Sequence, residues 1–379
     1  MKELTRAILL VAEWGDHRLQ LGVARYAKQA GWHLNLDAVY NNVLPQGWRG
    51  DGCLALMSDE NYVGFVHSLD VPVVEISQQT DSPFPKVHED NHAIGVLAAE
   101  YLLGLGFGHF ACYRTSPLNV AMSRIHGFSS RLSEVGHTAT EIAWSPRGRR
   151  RQGDWDQRLK WLSTELQALP KPVALFCIDD CMAADIIETC MHCGIRIPDD
   201  VSVLGVGNLE LACEASTVPI SSIRIDFESV GFQAAELLDL ILDGKPPPAE
   251  PILIPPAGIA VRRSTYTLAV EDPASRKAVR FMLDNFASPI NINDIVTATG
   301  LNRRQITYAL RKELGKPPAE LLEDIRIENA CKLLEKTNYP VKRVAYETGL
   351  GTALRLQRIF RKRFATTPSA WRSGSICAT

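Results

Sequence analysis

Between residues 6 and 262 short apolar runs alternate with stretches of helical period, and beyond Asp272 the alternation stops. RAILLVAE is followed by RLQLGVARYAKQAG, GCLALM by ENYVGFVHSL, and VALFCID by CMAADIIETCMHCG. Apolar runs of this length suit buried strands, and a helix between successive strands is the connection that parallel pairing requires. The order therefore predicts parallel sheets with helices on both faces. Two such series, the second opening at FACYR, predict two lobes with a ligand cleft at the carboxyl ends of the strands.

The last hundred residues follow another rule. PASRKAVRFMLDNF sets Ala278, Phe281, Met282 and Phe286 at helical spacing, and Pro289 closes it. INDIVTATGLNRRQITYALRKELG then predicts a short helix, a turn at Thr299-Gly300-Leu301 and a second helix capped by Asn302. Ile306, Leu310 and Leu314 form its inner stripe, while Arg303, Arg304, Thr307, Tyr308 and Arg311 face outward. Gly315 stops it, and Pro317 and Pro318 open a helix reaching Lys336, about 27 Å long. PVKRVAYETGLGTALRLQRIFRKRF repeats the plan around Gly349. Val344, Ala345, Leu350, Leu356, Ile359 and Phe360 supply its core; Arg355, Gln357, Arg358, Arg361 and Lys362 supply polar faces. Paired helix-turn-helix heads enter successive turns of one DNA face when they lie about 34 Å apart, a distance on the scale of that connecting helix.

Charge separates the same two regions. Asp272 to Thr379 holds 19 of the 41 basic and 10 of the 43 acidic residues, a net +9. The preceding residues hold the other 22 basic and 33 acidic, a net −11. An acidic body with a basic tail predicts that the tail alone meets a polyanion. The cluster Pro146-Arg-Gly-Arg-Arg-Arg151 lies inside the acidic body and reads as a solvated loop or as an auxiliary phosphate contact.

Other classes are disfavoured. The N-terminal apolar run meets charge too soon for a signal peptide, and no segment approaches the roughly 20 apolar residues of a membrane span. A cytoplasmic chain is expected. Nine scattered cysteines fit reduced thiols better than a disulfide framework; Cys190-x-x-Cys193 with His192, Cys177 and Cys181 is a weak alternative as a metal site, and no metal or cofactor is expected. No G-x-G-x-x-G opens a helix after the first strand, and Walker A, G-x-S-x-G and H-E-x-x-H are absent, so an enzyme is not expected.

Gly315-x-Pro317, RIENACKLLEKT, VKRVAYETGL and IFRKRFATTPSAWR together resemble the AraC-type DNA-binding domain over about 90 residues. The resemblance places base-facing sites at Arg304, Thr307 and Tyr308 in the first unit. In the second they fall on Ala353, Leu354, Gln357 and Arg358. Leu356 departs from the aromatic residue common there, and Ala353 and Leu354 offer only apolar contacts. Phosphate contacts are expected from Arg303, Arg311, Arg361 and helix N-termini.

Upstream, VHEDNHAIGVLAAEYLLGLGFGHFA, Arg124-Ile-His-Gly127-Phe128, Asp179-Asp180-x-Met-Ala, IPDDVSVLGVGN and VPISSIRIDFESVGFQAAELLDLILDG resemble the LacI-type, periplasmic-binding-protein-like sensor. That sensor joined to an AraC-type tail, with the junction VRRSTYTLAVEDP, is similar to the xylose operon regulator family. The implied architecture is a two-lobed α/β domain at 1–262, a linker at 263–273 and an all-α domain with two helix-turn-helix units at 274–379. The implied function is a DNA-binding regulator of sugar metabolism, with pentose or xylose as the small sugar effector, an operator of double-stranded DNA as partner, and a homodimer off the membrane.

Mapped by motif, the ligand-binding candidates are Trp14, Asp16, His17, Ser77, Arg124, Asp179 and Asn208. Asp179 and Asp180 also read as a helix-capping pair, and Arg124 as a surface ion pair. Gly207 stands where the family carries a sugar-holding aspartate. Loss of a charged hydrogen bond costs about 1.5–3 kcal/mol, or roughly one to two decades of affinity. Two readings of the effector follow: Asn208 or water compensates, or the chain answers to another molecule or to none.

Overall fold

Every side chain of β1 (Ala7–Ala12) beyond its first is buried, because the strand is central to its sheet and covered on both faces. It leads through α1 (His17–Ala30), β2 (His33–Asn35), α2 (Asp37–Tyr40), β3 (Gly52–Leu56), α3 (Glu60–His67) and β4 (Val73–Glu75) to β5 (Val87–Glu89). The first sheet has the order β2-β1-β3-β4 and is parallel throughout. The chain then passes Asp90 into α4 (Asn91–Gly104), β6 (His109–Arg114), α5 (Asn119–Glu134), β7 (Ala139–Ala143), α6 (Trp155–Ala168), β8 (Val173–Cys177), α7 (Asp180–Cys193), β9 (Val201–Gly207), α8 (Glu210–Ala215) and β10 (Ser221–Arg224). After α9 (Phe227–Leu242) come β11 (Ile252–Ile254) and β12 (Ile259–Ala260). The second sheet runs β12-β10-β9-β8-β6-β7, with β12 alone antiparallel.

This computed structural model describes residues 5–12, 16–41, 43–57, 60–78, 81–115, 118–144, 155–265, 272–364 and 366–376. It divides into two units, Met1–Tyr266 and Thr267–Thr379. Among the described residues no helix is long and apolar enough to cross a membrane.

The two lobes of the first unit are interleaved, whereas the sequence series suggested consecutive ones. Val230, Ala234 and Leu238 of α9 and Ile254 of β11 share a core with Ile8, Leu10, Leu54 and Val74. Ile94, Ala98 and Leu102 of α4 pack instead with Phe110, Phe128 and Phe176. Chain crossings therefore fall at Asp90, between β10 and α9, and between β11 and β12. The cause is helix pairing through glycines. A Cβ on Gly22 of α1 would lie 2.0 Å from the Glu228 carbonyl oxygen, and one on Gly231 of α9 would lie 2.1 Å from that of Leu19. Gly95 of α4 and Gly127 of α5 repeat the device, at 2.0 Å from Arg124 O and 2.1 Å from His92 O. Only bare backbones cross this closely.

The sensor also extends past the boundary drawn from sequence. Ser264 and Thr265, read as linker, are fully buried: Ser264 Oγ donates to Val203 O at 2.6 Å, and Thr265 Oγ1 donates to Ser221 Oγ at 2.7 Å.

The second unit comprises α10 (Pro273–Asn285), α11 (Ile292–Thr299), α12 (Arg303–Leu314), α13 (Pro318–Lys336), α14 (Val341–Glu347), α15 (Ala353–Phe364) and α16 (Pro368–Ile376). Two small cores hold it. Ala278, Met282, Ile295, Ile306 and Leu310 form one, and Val344, Ala345, Leu350, Leu356, Ile359 and Phe360 the other. The helix α13 serves both, giving Leu321, Leu322 and Ile325 to the first and Ile327, Ala330 and Leu334 to the second. Its 19 residues span about 28 Å.

Candidate nucleic-acid interface and ligand cleft

Each head begins with a punctuated turn. Gly300 (φ +75°) ends α11, and Asn302 caps α12 reciprocally with Gln305. Gly349 (φ +67°) follows α14, and Thr352 Oγ1 accepts from Arg355 N at 3.2 Å to cap α15. Counted from those caps the heads superpose in register. Ile306 matches Leu356 and Leu310 matches Phe360, all four buried. The same count matches Arg304 with Leu354, Thr307 with Gln357, Tyr308 with Arg358, and Arg311 with Arg361.

The outward residues form two unlike faces. On α12, Arg303, Arg304, Thr307, Tyr308, Arg311 and Lys312 line an open concavity of about 790 Å³, with Tyr308 70% exposed. Thr307 Oγ1 donates to Arg303 O at 2.8 Å, leaving its lone pairs available. On α15, Leu354, Gln357, Arg358 and Arg361 are exposed. Arg355, assigned by sequence to the polar face, reaches Glu323 of α13 at 3.7 Å, and Arg363 bonds both Glu323 and Asp324. Those two arginines brace the head against the connecting helix.

A further brace escaped sequence reasoning. Arg326 of α13 is buried, donating from Nε to Phe286 O at 2.8 Å and from Nη2 to Ser288 O at 2.7 Å. Gly349 sits against it, since a Cβ there would lie 2.9 Å from Arg326 Nε and 2.2 Å from Phe286 O. Arg326 thus ties the end of α10, the connecting helix and the turn of the second head together. No local pattern marks it, because its acceptors lie about forty residues away in the chain.

In the first unit the sequence candidates fall at strand ends, in two groups. Asp16 caps α1, accepting from Arg18 N at 2.9 Å and from the Arg18 guanidinium at 2.8 and 2.6 Å. Burial opposes its ionisation, but the hydrogen bonds from Arg18 prevail and hold its carboxyl below the ordinary range. Arg18 Nη2 also donates to Gly207 O at 2.8 Å, so it joins the first lobe to the second, and its guanidinium lies over Phe227. Asn119 Nδ2 donates to Asp81 Oδ1 at 2.9 Å in a second link between lobes. His17 points outward, its side chain 80% exposed. Trp14 lies outside the described residues, as does the basic cluster at 146–151.

The second group centres on Arg124, which is buried rather than a surface pair. Nε donates to Asn91 Oδ1 at 2.8 Å, Nη1 to Ile178 O at 2.5 Å and Nη2 to Glu89 Oε1 at 3.1 Å. Its position follows from the Gly95–Gly127 crossing, which lays the start of α5 beside the crossing at Asp90. Desolvation lowers its pKa, against the pull of Glu89 and Asp179. Asn91 Nδ2 reaches Gln78 Oε1 at 3.2 Å, next to Ser77, whose hydroxyl donates to buried Glu75 at 3.2 Å. Asp179 caps α7, accepting from Met182 N at 2.7 Å, and burial raises its pKa. The capping role read from sequence is thus present, and Asp179 is partly exposed.

Asp180, left out of the site by sequence, is fully buried below Gly207. Its Oδ2 accepts from Leu209 N at 2.7 Å. Burial pushes the carboxyl up to about 6, against the opposing pull of hydrogen bonds from Ser222, Leu209 and Cys213. Gly207 has φ +115°, and Asn208 has φ +50°. Asn208 N donates to Ser222 Oγ at 2.9 Å, while its Oδ1 is buried with no partner. Among the described residues no cluster of His, Cys, Asp and Glu is arranged to hold a metal; Cys193 Sγ instead donates to Ser163 Oγ at 3.0 Å.

A two-lobed α/β sensor and a double helix-turn-helix unit on one chain define the class of ligand-responsive transcription regulators. Residues 99–265 match the periplasmic binding protein-like domain, and residues 295–374 match a helix-turn-helix domain. The xylose operon regulatory protein of Escherichia coli strain K12 is 27% identical over 372 residues, covering 94% of this chain and 93% of its own. That of Haemophilus influenzae is 23% identical, covering 94% and 95%. The solved structure of a xylose-binding transcription activator aligns over 98% of this chain and 99% of its own, with 25% identity and a TM-score of 0.75. The chain is thus similar over nearly its whole length to xylose operon regulators, and these relatives are transcription regulators.

Proposed function

We propose that this protein is a cytoplasmic transcription regulator that reads double-stranded DNA with α12 and α15 and senses a small sugar in the cleft of its first unit. The observation that carries the reading is the outward face of the two heads. Arg303, Arg304, Arg311, Arg358 and Arg361 stand exposed on two helices mounted on one connecting helix. Major-groove base edges suit arginine and glutamine, and phosphates suit the flanking cations. In this reading Arg304, Thr307, Tyr308, Gln357 and Arg358 meet bases, whereas Arg303, Arg311 and Arg361 meet phosphates.

The effector is a pentose, with xylose first, as the names of the relatives suggest. Asp16, Ser77, Arg124, Asp179 and Asn208 serve it, together with Trp14 and His17. Asn208 Oδ1, buried without a partner, is the acceptor available where Gly207 offers none. The sugar closes the lobes, and the segment 263–273 carries that change to the 274–379 domain of a homodimer.

The test has two arms. DNA selected from random sequence by the full-length chain should footprint over two successive major grooves. Thermal unfolding against pentoses, hexoses and uronic acids should show a shift with xylose. Absence of any selected sequence would sink the regulator reading; absence of a shift with every sugar would remove the sugar effector alone.

A further inference from the structure

We propose that Leu354, at a position the sequence resemblance already turns toward the bases, recognises the 5-methyl group of thymine, so that the two heads read different bases at equivalent positions. The inference rests on the DNA reading above. Leu354 is the second residue of α15, counted from the Thr352 cap, and the start of the second helix is the part of such a motif that enters the major groove. Its side chain is 78% exposed, so its apolar tip is left to solvent by its own unit. Gln357 and Arg358, one turn on, share its face and are exposed too.

The comparison with the first head sharpens this. The position two past the cap is Arg304 on α12, a donor suited to guanine O6 and N7. On α15 the same position is leucine, which offers no hydrogen bond and suits only the thymine methyl. The neighbouring Arg355 points elsewhere, its guanidinium 3.7 Å from Glu323 of the connecting helix. The leucine tip therefore gives the DNA site a direction: a guanine-reading head at one end and a thymine-reading head at the other.

The experiment uses the full-length protein and DNA that it selects from random sequence. The half-site under α15 should contain a thymine whose replacement by 2′-deoxyuridine, which deletes only the methyl, weakens binding about fourfold, the equivalent of about 0.8 kcal/mol for one buried carbon. Leu354→Ala should bind both DNAs equally, with an unchanged melting temperature. Leu354→Arg should shift the selected base from thymine to guanine in that half-site alone. Indifference of the parent protein to deoxyuridine overturns the proposal. So does discrimination retained by Leu354→Ala, or an alanine variant with undiminished DNA affinity, which would turn the leucine toward another protein. Loss of all sequence selection in the parent overturns the regulator reading and this inference with it, and is distinguished by affecting both half-sites.

Discussion

Where the sequence resemblance leads one to expect an aspartate the chain has Gly207, and its backbone adopts a conformation that favours glycine. With φ at +115° and Asp180 Oδ2 3.4 Å from where a Cβ would stand, restoring a carboxylate costs strain and like-charge repulsion together. Gly207→Asp is expected to lower stability by about 1–3 kcal/mol rather than improve sugar binding, as urea unfolding and sugar titration of the same variant would reveal. Asp180 itself sets a pH dependence. Burial is the chief cause of its rise to about 6, so the folded chain binds this proton more tightly than the unfolded one between about pH 4 and 6. The carboxyl costs nothing below that window, and its burden grows as pH rises through it, to about 3 kcal/mol. Asp180→Asn should therefore gain relative to the parent as pH goes from 4 to 7, measured as the difference between their unfolding free energies at each pH. Arg304→Ala is expected to lose about 1–3 kcal/mol of specific DNA binding, read by titration at one fixed salt concentration. Unchanged affinity would remove Arg304 from the bases.

Among elements, the crossings of helices carry the arrangement. Gly127→Ala would drive a methyl to 2.1 Å from His92 O, forcing α4 and α5 apart and displacing Arg124 from Asn91 and Glu89. Destabilisation of about 1–3 kcal/mol is expected, accompanied by weaker sugar binding, whereas an exposed substitution such as Glu134→Ala serves as the control. The helix α13 illustrates why an element can mislead by its pattern. Its apolar residues show no single stripe because opposite faces enter two cores. Its buried Arg326 fastens those cores through Phe286 O and Ser288 O. Arg326→Ala leaves two carbonyls without their donor, and the cost should be about 1–3 kcal/mol for each group stranded from water.

For the molecule as a whole, charge is divided between a −11 body and a +9 tail, so DNA affinity should follow salt through the tail alone. Replacing Arg303, Arg311 or Arg361 by alanine, one at a time, should reduce the slope of log affinity against log salt by about 0.9. A variant at Arg149 to Arg151 that changes this slope equally would place the second basic cluster on DNA. Sugar at about 100 times its dissociation constant should stabilise the protein by about 2.7 kcal/mol.

Periodicity, capping residues and charge are local quantities, and from them the sequence by itself determined the α/β body, the change at Asp272, both helix-turn-helix units and their outward residues. The buried set of Ile306, Leu310, Val344, Ala345, Leu350, Leu356, Ile359 and Phe360 was legible because a helix repeats its inner face every three or four residues. What needed partners distant in the chain was decided only by the tertiary structure. The seating of α9 on α1 depends on glycines that meet backbone about two hundred residues away, and the same holds for Arg18 reaching Gly207. Asp180 became a buried carboxylate because β9 and its loop closed over it. Sequence order cannot express such meetings, since burial and electrostatic coupling arise from proximity in space.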